Sequence, residues 1–337
     1  MSDAALLARA QAAVRERWPR ARLSELEPLP GGISSLTFCA GVDGAPIARV
    51  VLKVAPPGLE PVRNRDVLRQ ARVLRALAGT PGVAVPEVLV VDTGAPPLFV
   101  MEHIRGESFE PWWDVVPVPP SPRAVDARAR AAARMLAALA AVDPADVGLR
   151  DEPVLSPGDE LARWTALYET VGEDLRAGEQ DLRLALAARV PASEPGMRPA
   201  VVHGDYRLGN ILFDGERVGA IIDWEIWSVG DRRCDLAWLM VFCDPVMERG
   251  AGAGAGAGLT MPPAAELLAE WMRATGLSAP PPDLPWFQAL CRYKLAAALA
   301  VLIKRSRRSG SPDPSLERAA ATTPALLECA LAVLRED

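Results

Sequence analysis

The sequence predicts an α+β chain in two parts. A small sheet with one inserted helix occupies residues 1–105, and a larger, mainly helical part occupies residues 106–337. Three observations predict it. β-rich runs bounded by turn residues cluster ahead of residue 105, and long runs with apolar residues at helical spacing begin near 122. Only short strand-like runs return, between 200 and 222. With 337 residues, half of them apolar and about a quarter charged, the chain can bury a real core as one large domain or two lobes.

The elements follow in order. Residues 3–18 read as an amphipathic helix closed by Pro19. The runs 33–40 and 47–54 flank Asp43-Gly44 and predict a β-hairpin. Residues 64–78 place Val67, Ala71, Leu74 and Ala78 on one helical face beside Leu77, with Asn64 as cap and Gly79 as stop. "VAVPEVLVVD" and "PLFVMEHI" read as two more strands, and "RGESFEPWWD" as a loop. "SPRAVDARARAAARMLAALAAVDP" is a helix stopped at Asp143-Pro144, with further helices within 157–190. Strands are expected at 200–203, 210–213 and 218–222, and helices near 234–243, 262–275, 285–306 and 314–335. The run "GAGAGAGAG", 250–258, has almost no side chain to bury and reads as a flexible surface loop.

Bulk chemistry excludes several classes. The net charge is -6 and no Lys/Arg-rich run carries interleaved aromatics, so nucleic acid is not an expected partner. The five cysteines are scattered without a C-x-x-C, which argues against a disulfide framework or a zinc site and fits a reducing cytoplasm. The N-terminus has charges at helical spacing and no apolar core. No later uncharged apolar run reaches the roughly 18 residues of a membrane span. A soluble, cytoplasmic protein without a membrane partner is expected.

Chemistry concentrates in residues 201–223, "VVHGDYRLGNILFDGERVGAIID". Val201 and Val202 read as a short buried strand that delivers His203 and Asp205 to a loop. Asn210 starts the next strand, Asp214-Gly215 turns it, and Asp223 sits at the exit of the return strand. Such a hairpin brings Asp205, Asn210 and Asp223 to one end. Two carboxylates and an amide there can hold Mg²⁺, and a carboxylate free of metal can take a proton from a hydroxyl. That is the requirement for phosphoryl transfer, with Asp205 as base and Asn210 and Asp223 on metal. His203 reads as structural. An H-x-D hydrolase site would recruit more imidazoles, and the only other histidine is His103. The chain has no G-x-x-x-x-G-K-[ST] and no G-x-S-x-G.

"HGDYRLGN" followed by "IIDWE" resembles the catalytic loop and metal-binding signature of the aminoglycoside phosphotransferase and choline kinase-like family, relatives of the protein kinases. "GDRRCDLAWL" is similar to that family's G-D-x-x-x-D-L-A segment, in which Asp235 would brace the catalytic loop. The resemblance implies a two-lobed protein kinase-like fold with ATP, or GTP in its place, and Mg²⁺ between the lobes. It implies a hinge near 101–105 and a catalytic loop within 201–225. It also implies nucleotide-binding positions: Gly31, Gly32, Ser34 and Ser35 of "LPGGISSLTF" over the phosphates, Lys53 of "RVVLKV" on them, and Met101 to His103 at the adenine. Lys53 is the only lysine in the first 290 residues, and a lysine within an apolar strand needs a partner.

One position departs from the family pattern. The helix site where an acid would pair with Lys53 holds Gln70, with Asp66 one turn earlier as a substitute. That departure keeps open an alternative, a nucleotide-binding pseudokinase-like module. The implied acceptor is a small hydroxylated molecule: an aminoglycoside or macrolide, a choline-like alcohol, a sugar or a hydroxyacyl compound. The last enters because the same motifs also resemble the phosphotransferase-like part fused to some acyl-CoA dehydrogenases. Trp112, Trp113, Asp114, Glu160, Trp164, Glu225 and Trp227 are acceptor candidates by position, beside Asp205. A monomer or homodimer is expected.

Overall fold

The computed structural model describes residues 2–29, 35–114, 116–192, 198–249, 259 and 261–336. Among these, the chain begins with helix α1 (Asp3–Arg17), capped by the Ser2 hydroxyl on the Ala5 N–H at 3.3 Å. Two short strands, β1 (Arg22–Leu23) and β2 (Glu27–Pro28), precede the long hairpin of β3 (Leu36–Asp43) and β4 (Arg49–Val54). Helix α2 (Val67–Leu77) and strands β5 (Val88–Asp92) and β6 (Leu98–Glu102) complete this part. All pairings are antiparallel, in the order β1-β3-β4-β6-β5 with β2 also on β3. Both later strands stand where the sequence places them, and the hairpin forms with β3 running on to Asp43, past its expected end at 40. β1 and β2, two residues each, are too short for any periodicity to announce.

The sheet alternates with period two, and each face has its own cover. Phe38, Ala40, Val42, Val50, Leu52 and Val54 face outward onto Leu6, Ala10, Ala13 and Val14 of α1. Val51, Phe99 and Met101 face inward onto Val67, Ala71, Leu74 and Leu77 of α2. Lys53 lies one pleat beyond Val51, so its chain runs inward with the α2 face rather than out to solvent. The α2 cap is Asp66, whose carboxylate accepts the Arg69 N–H at 3.0 Å, and not Asn64, which lies in a short 3₁₀ turn ahead of it. Asp66 therefore spends its carboxylate on the helix end and does not substitute for the acid missing at position 70.

The second part is mainly helical. Helices α3 (Pro122–Ala140), α4 (Pro157–Tyr168) and α5 (Glu179–Ala187) are followed by strands β7 (Ala200–Val202), β8 (Ile211–Asp214), β9 (Arg217–Ile221) and β10 (Ser228–Gly230). Then come α6 (Arg233–Val241), α7 (Ala264–Thr275), α8 (Leu284–Arg308), α9 (Pro314–Ala320) and α10 (Thr323–Glu336). β8 and β9 form the expected hairpin, and β7 pairs with β10, a partner the sequence did not announce. The single helix expected over 314–335 is broken between α9 and α10 at Ala321-Thr322, where Thr322 turns inward.

Helix α8 is long and apolar enough by length and composition to cross a membrane, but 78% of its apolar window is buried inside the fold. It is the core helix on which α4, α6, α9 and α10 pack. One continuous apolar cluster runs from the inner sheet face through α3 to α8, so the two parts share a core. The Gly-Ala run 250–258 lies outside the described residues.

Candidate active site

The site forms where β8 and β9 end beside the sheet. Ile211 pairs with Ile221, and the ladder continues with the Ile222 N–H donating to the Asn210 carbonyl at 2.9 Å. Asn210 is the last residue of a 3₁₀ turn, Leu208–Asn210, rather than the first of the strand. The register puts Asn210 opposite Ile222, one residue before Asp223. Asp223 has φ 63, a left-handed backbone that few non-glycine residues adopt and that clusters at functional sites.

Asp205 is tied to the same end. The Asn210 amide Nδ2 donates to the Asp205 carbonyl at 2.9 Å and to Asp205 Oδ2 at 2.7 Å. His203 is fully buried; its Nδ1 accepts the Asp205 N–H at 3.1 Å, so its Nε2 donates to the Ile222 carbonyl at 2.9 Å. Both ring nitrogens are committed to backbone. Asp235, at the start of α6, accepts the N–H groups of His203 at 2.6 Å and Gly204 at 2.9 Å. Burial raises the Asp235 carboxyl above its ordinary range, against the pull of His203 and those two N–H groups. Gly204 has φ +87, and a Cβ there would meet the Ile226 carbonyl at 2.7 Å, so the loop needs glycine at this point.

The sheet supplies the cation. Lys53 Nζ lies 2.6 Å from Asp223 Oδ1 and 3.1 Å from Gln70 Oε1. Gln70 is buried, and its Nε2 donates to the Asn64 carbonyl at 3.3 Å. A glutamate at 70 would have no donor for that carbonyl, which gives the departure from the family pattern a local reason. Asp223 is left as the charged partner of Lys53. Burial would raise the Asp223 carboxyl, but Lys53, with His203 and Arg207, holds it below its ordinary value.

The donor set fits a hard cation. Asn210 spends Nδ2 on Asp205, and Asp223 spends Oδ1 on Lys53, which leaves Asn210 Oδ1 and Asp223 Oδ2 as oxygen acceptors for a cation. Mg²⁺ takes one or two protein oxygens and completes its shell with phosphate and water. No group of three or more His, Cys, Asp or Glu able to hold a metal exists among the described residues. Thr37 pairs with Lys53 across the hairpin, so Ser35, two residues earlier, shares its inward face. The Ser35 hydroxyl is buried with no hydrogen-bond partner among the described residues. Gly31, Gly32 and Ser34 lie outside the described residues. Met101 is buried in β6, and His103 is half-buried just beyond it.

The acceptor candidates separate. Trp227 is buried, donates its indole N–H to the Arg69 carbonyl at 3.1 Å and lies 3.9 Å beneath the Arg69 guanidinium. Trp112 bonds the Phe242 carbonyl, and Trp164 bonds Glu160; both rings are core. These three rings are buried, with their indole N–H groups already bonded inside the protein. Trp113 remains at the surface, 5.2 Å below the Arg207 guanidinium. Asp114 accepts the Glu110 N–H at 2.7 Å, and Glu225 is half-buried.

Sequence reasoning missed four groups near Asp205. Arg207 lies 3.3 Å from its carboxylate and 3.6 Å from that of Glu110. Glu110 is fully buried, and burial, opposed by Arg207, pushes its carboxyl up to about 7. Trp238 donates its indole N–H to Asp205 Oδ1 at 2.9 Å. Lys294 is buried on α8 and donates to the Gly204 carbonyl. Only Lys294 carried a signal, as one of three lysines in the chain and one set within an apolar helix.

A curled antiparallel sheet set on a helical lobe around this constellation is the arrangement of a small-molecule kinase. The chain belongs to the phosphotransferase enzyme family, whose model matches residues 25–271. Among curated proteins it is 29% identical over 260 residues to acyl-CoA dehydrogenase family member 11 of Rattus norvegicus, a match that covers 73% of this chain and 32% of that protein. The chain thus spans about a third of the length of that relative. Among solved structures it resembles a "putative aminoglycoside phosphotransferase" from Ralstonia eutropha, with TM-score 0.76, 23% identity and 97% of each chain covered. It also resembles a thermostable mutant of the aminoglycoside phosphotransferase APH(4)-Ia in ternary complex with ADP and hygromycin B. That likeness has TM-score 0.59 and 16% identity, and covers 96% of this chain and 97% of that one. These two likenesses establish the fold.

Proposed function

We propose that this chain is an ATP- and Mg²⁺-dependent phosphotransferase that moves the γ-phosphate to a hydroxyl of a small hydroxyacyl compound, with Asp205 as the base. The observation that carries the reading is the join between Asp205, Asn210, Asp223 and Lys53. The Asn210 amide holds the Asp205 carboxylate, Lys53 pairs with the Asp223 carboxylate, and the β8–β9 register joins the two pairs through the Ile222 N–H on the Asn210 carbonyl. The acceptor oxygen attacks the γ-phosphorus, its proton passes to the Asp205 carboxylate, and the bond to the bridging oxygen breaks to release ADP. Lys53 and the Ser35 hydroxyl bind phosphate oxygens, and backbone groups of Met101 to His103 meet the base. Asn210 and Asp223 would hold Mg²⁺, which when bound would neutralise charge on the phosphates. The two lobes meet at a hinge near 101–105, and the cleft between them holds the nucleotide. GTP in place of ATP is decided by competition between the two.

Two observations support the acceptor class. The curated relative bears an acyl-CoA dehydrogenase name, and Arg207 puts a cation 3.3 Å from the proposed base, which disfavours a polycationic aminoglycoside. Five free cysteines fit a reducing compartment, the cytoplasm.

ADP release is measured with hydroxyacyl, sugar, choline-like and aminoglycoside acceptors, on the wild type and on Asp205→Ala. Transfer by the wild type, reduced about 10²-fold or more in Asp205→Ala with nucleotide binding kept, is the expected result. Full activity in the variant removes Asp205 as base. A second reading, a pseudokinase-like nucleotide-binding module, is favoured by Gln70 alone, and nucleotide binding with no ADP release for any acceptor would establish it.

A further inference from the structure

Two groups one turn apart on α6 face the catalytic loop. Asp235 holds the backbone N–H groups of His203 and Gly204, and Trp238, three residues later, holds the Asp205 side chain. Residues at this spacing share a helix face, so a single element sets both the backbone and the carboxylate of one loop. Trp238 is itself fixed. It is buried, meets Phe242 edge-on at 5.5 Å, and has Lys294 Nζ 4.2 Å from its ring centroid. The same Lys294 ammonium donates to the Gly204 carbonyl, one residue before Asp205.

We infer that Trp238 is a positioning residue for the base Asp205, with Lys294 locking the indole in place. This rests on the reading of Asp205 as base. The terminal torsion of a carboxylate is broad, so one bonded oxygen leaves the group free to swing. Here Asn210 holds Oδ2 at 2.7 Å and Trp238 holds Oδ1 at 2.9 Å, from two separate elements. The Arg207 contact at 3.4 Å is looser and comes from a partly exposed side chain on the loop itself. An indole N–H only donates and does not titrate. It can therefore orient the carboxylate without competing for the proton that Asp205 takes. The face of the indole lies under a cation, which draws density from the ring and strengthens the N–H as a donor.

Trp238→Phe removes the N–H and keeps a ring beside Phe242 and Lys294. The expected result is a kcat lower by about 10-fold or more, for transfer and for slow acceptor-free hydrolysis of Mg-ATP alike. The KM for Mg-ATP and the melting temperature stay close to wild type, a split that general loosening of the fold would not produce. A second readout needs no turnover. In ¹H–¹⁵N spectra of the wild type, the Trp238 indole signal moves in Asp205→Ala and stays in Asp223→Ala. Should Trp238→Phe fail to fold, those spectra carry the test, since one indole signal alone is expected to move. An unchanged kcat in Trp238→Phe, or no indole response to Asp205→Ala, overturns the inference. If the wild type turns over no ATP, the phosphotransfer reading fails separately, and the indole response decides whether Trp238 holds Asp205.

Discussion

Glu110 shows at residue scale how this site trades solvation for position. Its Oε2 accepts the Gly209 N–H at 3.2 Å, while its Oε1 is buried with no partner among the described residues. Burial is the larger effect, and the carboxyl is pushed from 4.5 up to about 7. The folded state therefore keeps a proton that the unfolded chain has lost. The stability this contributes is present below about pH 4.5 and lost as pH rises through about 7. The loss is on the order of 3 kcal/mol at full extent, since one pK unit corresponds to about 1.4 kcal/mol. Glu110→Gln keeps the acceptor for Gly209 and removes the titration. Melting curves recorded from pH 5 to pH 8 should show the variant increasingly more stable than the wild type as pH rises. Parallel profiles would assign the pH dependence to other groups.

At the scale of elements, the notable join is between α2 and the helical lobe. Arg69 lies over the Trp227 ring, donates to the Trp227 carbonyl at 2.8 Å and reaches Glu152 at 3.0 Å. Arg72, on the same helix face, reaches the other oxygen of Glu152 at 2.6 Å. Two arginines and a mostly buried carboxylate thus hold α2 against the helical lobe, where a neutral Gln70 gives Lys53 no charge to pull on. Trp227 lies four residues beyond Asp223, so the latch also fixes the chain that carries the proposed metal ligand. Arg69→Ala loses the ring contact and two donated bonds, one to the Trp227 carbonyl and one to Glu152. A loss of about 2 to 3 kcal/mol is expected. Hydrogen exchange should quicken over residues 67–77, and the KM for Mg-ATP should rise several-fold. Unchanged exchange in α2 would mean that packing on the sheet alone holds it.

For the whole molecule, the two lobes share one apolar core, and the candidate site takes groups from both: Lys53 and Gln70 from the sheet side, Asp205, Asn210 and Asp223 from the helical side. A ligand that binds the folded chain alone stabilises all of it by mass action. At Mg-ATP concentrations 10² to 10³ times Kd, the gain is about 3 to 4 kcal/mol. Calorimetry of the wild type should show a rise of a few degrees in Tm. Asp223→Ala should lose most of that shift, because it removes both a proposed metal ligand and the charged partner of Lys53. No shift in the wild type at millimolar Mg-ATP would remove nucleotide from the site.

The sequence by itself determined what depends on local pattern. β-rich runs flanking Asp43-Gly44 announced the hairpin of β3 and β4, while the strand pairing decided that Lys53 faces inward with Val51. Helical spacing set α2 and α3, and the spaced His203, Asp205, Asn210 and Asp223 announced a site that the β8–β9 register then assembled. The helix stop at Gly79 was legible because a left-handed backbone there is a local demand, with φ +76. Tertiary structure alone decided which polar and aromatic groups meet across long separations. Trp227 reads in sequence like Trp113, yet one is locked beneath Arg69 and the other lies at the surface. Asp66 reads as a partner for Lys53 and caps its helix instead. Trp238 lies 33 residues from Asp205 and Lys294 lies 90 from Gly204, so no periodicity links them. The physical reason is common to all. Hydrophobic pattern is set by each element's own repeat, whereas a hydrogen bond or a cation over a ring needs two side chains placed to within a fraction of an ångström, and only the packed core supplies that placement.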